Sequence, residues 1–322
     1  MQPVIRFVST VTLVIAGIAA PLPAQSPVKT AEIAKRGLTA QDFPKVLPLV
    51  PNVYAYADVH VQGAITTNAL IVTTTDGVVV VDGQGTVPQT ERMVAEIRKL
   101  SDKPIRYVII GSNHADHTGG NAAFPETATF ISHPVAQAAF QRAASQPPRQ
   151  GGPPDARRVV VPTETVADKR VLTVGGTEIQ ILFLGRGHTG GDLEVFLPRQ
   201  NILWMSEVFF NRLYPSVGGN RSGRPIEWLE TLKKAKAMNA GLYVPNHGFI
   251  DSPKVLNEEF DNFIRALDNL VTETRRLHAA RTPVESVPRL INLGEFQYWY
   301  RAANNLPDAV RNIYGELDGT LR

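Results

Sequence analysis

Hydrophobic residues along the chain fall into short β-branched runs, separated by polar turns and by amphipathic segments. Residues 69–74 and 78–81 are two such runs, and they flank Asp76-Gly77, a pair that favours a tight turn. The sequence therefore predicts an antiparallel hairpin. The valines at 78–81 show no alternation with polar residues, which predicts that both faces of this strand are buried.

Strands and helices follow one another up to about residue 250. The patterns predict helices at residues 90–100, 135–144 and 226–238, and strands at residues 106–110, 129–132, 171–174, 178–184, 193–197, 202–205 and 242–244. Polar loops directly follow several of these strands, and ligands bind at this end of the strands in layered α/β folds. We expect residues 51–250 to form one α/β domain, preceded by an extended or weakly helical lead-in at residues 25–50.

The C-terminal part of the chain has a helical pattern. Beyond Ser252, large apolar residues recur at alternating spacings of four and three, which places them on one core-facing stripe: Leu256, Phe260, Phe263, Leu267 and Leu270. The tail from Pro283 is also predicted to be helical. We therefore expect residues 251–322 to form a C-terminal helical extension that packs on the domain.

The first 24 residues have the pattern of a secretory signal peptide. Arg6 precedes an apolar stretch at residues 7–20, which is short for a membrane span of about 20 residues and ends in small residues and prolines. Cleavage is expected after Ala24 or Ala20, and an uncleaved anchor is the alternative. The sequence thus predicts an exported protein, periplasmic or secreted, with no stable membrane span after cleavage.

Composition narrows the classes of function. The chain has 322 residues, with 33 Lys and Arg against 30 Asp and Glu, so it lacks the basic footprint of a nucleic-acid-binding protein. We expect a small-molecule substrate and no nucleic-acid partner. The absence of cysteine excludes disulfides, thiolate metal sites and a cysteine nucleophile. Any metal must therefore be bound by the seven histidines and by carboxylates.

Four histidines and one aspartate stand in loops at predicted strand ends. His114, Asp116 and His117 share one short loop, while His188 and His247 each follow a strand and precede a glycine. Neutral imidazole and carboxylate suit zinc, with iron or manganese as further possibilities. Because the adjacent side chains of Asp116 and His117 point in different directions, this single loop can supply ligands to two neighbouring metal positions.

The ordered set of motifs resembles the metallo-β-lactamase-fold hydrolase superfamily over residues 53–248. The motifs are the strand ending at Asp82, the loop Ser112-Asn113-His114-Ala115-Asp116-His117-Thr118-Gly119-Gly120, the turn Gly187-His188-Thr189, the strand ending in Ser206-Glu207, and Pro245-Asn246-His247-Gly248. The resemblance implies an α/β fold, a four-layer αββα sandwich, with one or two metal ions at the edge of the sheets.

The resemblance also implies a ligand set. His114 and His188 would hold a first zinc ion, and Asp116, His117 and His247 a second. Asp82 matches the family's aspartate that supports the ligands from behind, although a turn at the strand end would explain it equally well.

Two positions depart from the family pattern. The family's loop usually reads His-x-His-x-Asp-His, and Ser112 stands at its first histidine. The first metal would then be completed by water, by Ser112 through water, or not bound. Glu207 stands where many family members place a bridging aspartate, so it is either a bridging ligand or an outer hydrogen-bond partner. We expect a firm metal at Asp116, His117 and His247 and a weaker one at the first position.

The resemblance implies a hydrolase that uses a metal-bound hydroxide on a carbonyl substrate such as a lactone, an ester or a β-lactam. Asp116 would be the catalytic residue that orients the nucleophile. His60 and Tyr214 are candidates for the pocket wall, and a structural role is the alternative for His60. Two other functions remain open: a mononuclear iron oxidoreductase of the sulfur-dioxygenase kind, and a metal-binding protein whose first site has degenerated at Ser112. The sequence makes no prediction of the oligomeric state.

Overall fold

The computed structural model describes residues 28–146, 159–217 and 222–321. The predicted signal peptide lies outside these ranges. So does most of residues 145–155, a Pro- and Gly-rich stretch whose sequence predicts an irregular loop. Within them, no helix has both the length and the hydropathy to cross a lipid bilayer.

Seven strands of the described chain form the first sheet, which is ordered as the chain runs. Neighbours are antiparallel from the first strand to the fourth and parallel from there to the seventh. The strands are β1 (Lys45–Val50), β2 (Val53–Val59), β3 (Thr66–Thr74), β4 (Gly77–Val81), β5 (Ile105–Ile109), β6 (Thr129–Ser132) and β7 (Glu164–Thr165). Thr74 pairs with Gly77, which confirms the predicted hairpin.

The second sheet contains five strands in the order β12-β11-β10-β9-β8. Its strands are antiparallel except for the parallel pair of β11 and β12. They are β8 (Lys169–Val174), β9 (Thr177–Leu182), β10 (Glu194–Leu197), β11 (Ile202–Trp204) and β12 (Leu242–Val244).

Long helices cover the outer face of each sheet. The α-helices of the described chain are α1 (Val87–Leu100), α2 (Ala115–Thr118), α3 (Pro134–Ala144), α4 (Pro225–Ala237), α5 (Pro253–Ala279), α6 (Val287–Leu290) and α7 (Ala302–Leu317). Apolar residues of α1 and α3 pack on the first sheet, and those of α4, α5 and α7 pack beside the second. A third apolar cluster fills the space between the sheets. The predicted four-layer αββα sandwich is therefore confirmed.

Strand β4 illustrates why the sequence pattern produces this layering. Val79 and Val81 join the cluster between the sheets, whereas Val78 and Val80 pack under α1 and α3. All four side chains are fully buried, as the unbroken valine run predicted. Burial of each valine side chain stabilises the fold by about 1.5–3 kcal/mol. A strand with one face exposed would gain this free energy only at every second position.

Part of the lead-in belongs to the first sheet, which the sequence did not predict. Residues 45–50, expected to be extended or weakly helical, form β1, an edge strand paired with β2. Pro48 obscured this strand, because proline is depleted from central strands but tolerated at a sheet edge, where one side of the backbone needs no partner. Helix α1 also begins earlier than predicted, since Thr86 caps it by accepting a hydrogen bond from the amide of Gln89.

The C-terminal segment is an integral part of the outer layer. Phe260 and Phe263 of α5 and Val310 of α7 are fully buried in the same apolar cluster as Trp228 of α4. The predicted stripe on α5 is thus its buried face, and the segment also reaches the rim of the pocket described below.

Candidate metal centre

The loops that follow β5, β9, β11 and β12 meet at one edge of the sandwich. Helix α2 and the residue before it carry His114, Asp116 and His117, while Glu207 follows β11 and His247 follows β12. Together with His188, these residues form two groups of side chains that could hold metal ions. A pocket of about 250 Å³ opens onto them.

The first group contains His114, His188 and Glu207. Nδ1 of His114 lies 2.9 Å from Oε2 of Glu207 and 3.0 Å from Nε2 of His188. Nε2 of His188 lies 3.4 Å from Oε1 of Glu207. Two imidazole nitrogens and a carboxylate oxygen therefore face a common point, which is a donor set that zinc favours.

The second group contains Asp116, His117, His247 and Glu207. The Nε2 atoms of His117 and His247 lie 3.1 Å apart, and each is 3.2 Å from Oδ2 of Asp116. Oε1 of Glu207 is 3.4 Å from the first of these nitrogens and 3.2 Å from the second. The loop thus supplies candidate ligand atoms to two neighbouring groups.

Glu207 belongs to both groups. Its Oε1 faces His188 of the first group and both histidines of the second, and its Oε2 faces His114. Its side chain is buried, and the hydroxyl of Ser112 donates a hydrogen bond to Oε2. Of the two sequence-based interpretations of Glu207, this geometry favours the bridging one. Ser112 is buried behind the carboxylate and acts on the site through Glu207.

Backbone carbonyls determine how two of the imidazoles present their nitrogens. Nδ1 of His188 is 2.5 Å from the carbonyl oxygen of Ser216, and Nδ1 of His247 is 2.9 Å from that of Thr66. Because a carbonyl only accepts, each Nδ1 carries the hydrogen, and each neutral ring has its Nε2 lone pair directed into the cluster. Metal-binding histidines are commonly oriented in this way.

The carboxylates and imidazoles of the cluster shift one another's pKa values. Burial acts to raise the pKa of Glu207, but the surrounding imidazoles of His188, His114 and His117 hold it well below its usual range. Burial likewise acts to lower the pKa of His114, but the adjacent Glu207 raises it to about 9. At His188, by contrast, burial lowers the pKa to about 4, so this ring stays neutral. The carboxylates therefore stay ionised, as metal ligation requires.

Asp82 ties together two of the loops that carry ligands. Its Oδ1 accepts a hydrogen bond of 2.8 Å from the amide of Gly111, and its Oδ2 accepts one of 3.0 Å from Nδ2 of Asn246. Burial raises the pKa of Asp82 to about 6. Gly111 is required at this contact, because a Cβ there would lie 2.1 Å from the hydroxyl oxygen of Ser206. Asp82 thus supports the site from behind, without facing the pocket.

His60 lines the pocket and contacts Asp116. Its Nδ1 accepts a hydrogen bond of 3.0 Å from the amide of Gln62, so Nε2 carries the ring hydrogen in the neutral form. Nε2 lies 3.2 Å from Oδ2 of Asp116. The ring therefore donates to the carboxylate and restrains its orientation.

Two outcomes at the pocket wall differ from the sequence-based expectation. Tyr214 packs in the apolar cluster of the second sheet and is fully buried, so it does not line the pocket. Phe210, Arg301 and Asn305 are among the residues that do line it and that the sequence did not reveal. Arg301 and Asn305 come from the C-terminal segment, and no local motif distinguishes them from surface residues.

Fold and site together define a metalloprotein of the αββα type, with imidazole and carboxylate ligands at the sheet edge. The family model of the metallo-beta-lactamase superfamily matches residues 63–247, more than half of the chain. The chain belongs to this superfamily.

Individual relatives are distant. The chain is 26% identical over 210 residues to a linear primary-alkylsulfatase of Pseudomonas sp. (strain ATCC 19151), a match that covers 54% of this chain and 40% of that protein. It is 24% identical over 223 residues to a type 2 metallo-beta-lactamase of Bacteroides fragilis, covering 68% and 84%. A solved metallo-beta-lactamase from Pontibacter korlensis shares the fold, with a TM-score of 0.57 at 18% identity over 69% of this chain and 99% of that one.

These matches leave the reaction open. The chain spans less than half the length of the alkylsulfatase that it matches. Superfamily membership and the two ligand groups support a metal-dependent hydrolase in general.

Proposed function

We propose that the protein is a zinc-dependent hydrolase that binds two ions and cleaves a carbonyl substrate such as an ester, a lactone or a β-lactam. The observation that carries this proposal is the position of Glu207, which joins the two ligand groups into one centre. This carboxylate compensates for the serine at position 112, because it offers the first group a third ligand atom beside His114 and His188.

Each pocket residue has a separate role in the proposed reaction. A divalent ion held by these ligands would lower the pKa of its bound water to roughly 7 and polarise a substrate carbonyl. Asp116 is half-buried and lines the pocket, where its carboxylate would orient the nucleophile and pass a proton to the leaving group. His60 holds that carboxylate in place. Phe210 and Leu213 supply an apolar wall that excludes water from the substrate.

A second candidate reaction is the hydrolysis of alkyl sulfate esters. The sequence similarity to a linear primary-alkylsulfatase supports this candidate. The mononuclear iron oxidoreductase is less well supported, because the described residues offer ligands for two neighbouring ions. A metal-binding protein without turnover remains the third candidate.

One experiment separates these functions. The purified protein is subjected to elemental analysis and assayed on a panel that contains aryl esters, lactones, β-lactams and a primary alkyl sulfate. Zinc with carbonyl hydrolysis supports the proposal, and zinc with sulfate release supports the second candidate. Iron with oxygen consumption, or retained metal without any turnover, contradicts it.

We also propose that the protein is exported to the periplasm or secreted. The charged start, apolar stretch and small-residue break of residues 1–24 support this. Expression of the full chain in a Gram-negative host, followed by N-terminal sequencing of the periplasmic and medium fractions, provides the test. A mature chain that starts at Gln25 or Pro21 is expected, and an intact N-terminus in the cytosol contradicts export.

A further inference from the structure

The C-terminal segment is attached to the wall of the metal pocket by backbone hydrogen bonds. The amide of Tyr300 donates to the carbonyl of Arg212, and the amide of Tyr214 donates to the carbonyl of Tyr300. Nδ2 of Asn305 donates to the carbonyl of Tyr214 over 2.9 Å. The residue between these anchors, Arg301, is therefore held at a defined place on the pocket rim.

The side chain of Arg301 lines the metal pocket. Its Nη2 donates to Oε1 of Gln62 over 3.0 Å, and Gln62 lies in the loop that also places His60 against Asp116. Throughout the described chain, no carboxylate comes within ion-pair distance of this guanidinium. The positively charged guanidinium of Arg301 is thus oriented by the neutral side-chain amide of Gln62. Because it has no ion-pair partner among the described residues, it can bind an anion.

Arg301 and Asn305 also line a second pocket of about 520 Å³. This pocket adjoins the first across these two side chains, and Tyr298 and Tyr300 contribute to its wall. A substrate whose reacting group lies at the metal centre can therefore extend past the guanidinium.

We propose that Arg301 is a substrate-binding residue that recognises a carboxylate group separate from the bond to be cleaved. The protein would then prefer esters, lactones or lactams that carry a carboxylate over neutral ones of the same size. Arginine suits this role because its planar donors pair with both oxygens of a carboxylate. This inference rests on the proposed hydrolase function for its substrate class. The family match ends at residue 247, so it does not include this residue.

The first test compares two aryl esters that release the same phenol, 4-nitrophenyl hemiglutarate and 4-nitrophenyl butyrate. We expect Arg301→Gln to raise KM for the hemiglutarate about tenfold more than KM for the butyrate, because only the hemiglutarate carries the carboxylate. Arg301→Lys should restore part of the loss, since it keeps the charge without the two parallel donors. Arg289→Gln is the matched control, because Arg289 is exposed on the same segment but does not line the pocket.

The second test measures binding and does not depend on turnover. The zinc-loaded protein is titrated calorimetrically with a series from 3-mercaptopropionate to 6-mercaptohexanoate, and with the corresponding mercaptoalcohols. Thiolates bind zinc, so the series varies the distance between the metal and the carboxylate. We expect one chain length to bind about tenfold more tightly than its alcohol, and Arg301→Gln to abolish that difference.

The outcomes distinguish the two proposals. If neither ester is hydrolysed but the thiol series shows the preference that depends on Arg301, the hydrolase function fails and the binding site stands. If esters are hydrolysed but Arg301→Gln affects the anionic and the neutral ester equally, the binding site is overturned and the hydrolase function stands. Equal affinities for acids and alcohols at every length, or no binding of any acid, also overturn the binding site.

Discussion

The hydroxyl of Ser112 donates a hydrogen bond to Oε2 of Glu207, the carboxylate that joins the two ligand groups. Serine stands where the superfamily loop usually has a histidine, so the first group lacks that imidazole. The Ser112 hydroxyl instead orients Glu207, which offers a ligand atom in its place. Because both side chains are buried, this hydrogen bond does not compete with solvent.

We expect Ser112→Ala to weaken zinc binding at the first group by about tenfold, since outer hydrogen-bond partners of metal ligands commonly contribute that much. Competition with a chromophoric chelator measures the affinity. Ser132→Ala is the control, because Ser132 is another buried serine whose hydroxyl donates to a backbone carbonyl. An unchanged affinity in Ser112→Ala would mean that the hydrogen bond does not position Glu207.

Removal of Glu207 should affect both ions, whereas removal of Asp116 should affect only one. Glu207→Ala takes a ligand atom from each group, and Asp116→Ala from the second group alone. Elemental analysis after dialysis is expected to show loss of both ions in the first variant and retention of one in the second. In the Glu207→Ala background, Ser112→His should restore zinc at the first group, because it supplies the imidazole that the sequence lacks. Equal metal content in Glu207→Ala and Asp116→Ala would contradict the bridging role.

His60→Ala should reduce kcat by about tenfold without loss of metal, because the imidazole positions Asp116 through a hydrogen bond and belongs to neither ligand group. His60→Gln can still donate to the carboxylate and should retain part of the activity. His278→Ala is the control, since His278 is paired with Asp318 outside the pocket. Loss of zinc from His60→Ala would show that His60 is itself a ligand.

The pH dependence of stability should reveal the protonation of Asp192. Burial raises its pKa from 3.8 to about 7 in spite of two hydrogen bonds from Thr189. Between these values the folded protein binds the proton and the unfolded chain does not, so the free energy of unfolding falls as pH rises. The contribution of this one group to the slope is at most about 1.4 kcal/mol per pH unit.

Asp192→Asn removes that group, so the variant's free energy of unfolding should fall less steeply between pH 4 and 7 than that of the parent. Urea unfolding of the chelator-treated proteins across this range measures the difference. Asp168→Asn, at an exposed position, should leave the slope unchanged. Parallel curves for the parent and Asp192→Asn would contradict a raised pKa.

Most secondary structure was predictable because it depends on local periodicity. The unbroken valine run of β4 and the apolar stripe on α5 are visible in the sequence, and each pattern predicts which faces are buried. Strand β1 was missed because its edge position, which allows Pro48, becomes visible only when its neighbour is known. The sequence singled out the four histidines and Asp116 because few other residue types bind a metal in a chain without cysteine, and these side chains lie together in the structure.

By itself, the sequence determined which residues could bind metal and which segments must be buried, since residue chemistry and hydrophobic period are properties of the chain. Only the tertiary structure decided that Glu207 is shared by both groups, that Tyr214 packs in the core, and that Arg301 reaches the pocket. Each of these depends on a distance between residues far apart in the chain. Such distances are set by how the four layers pack together, which no local pattern records.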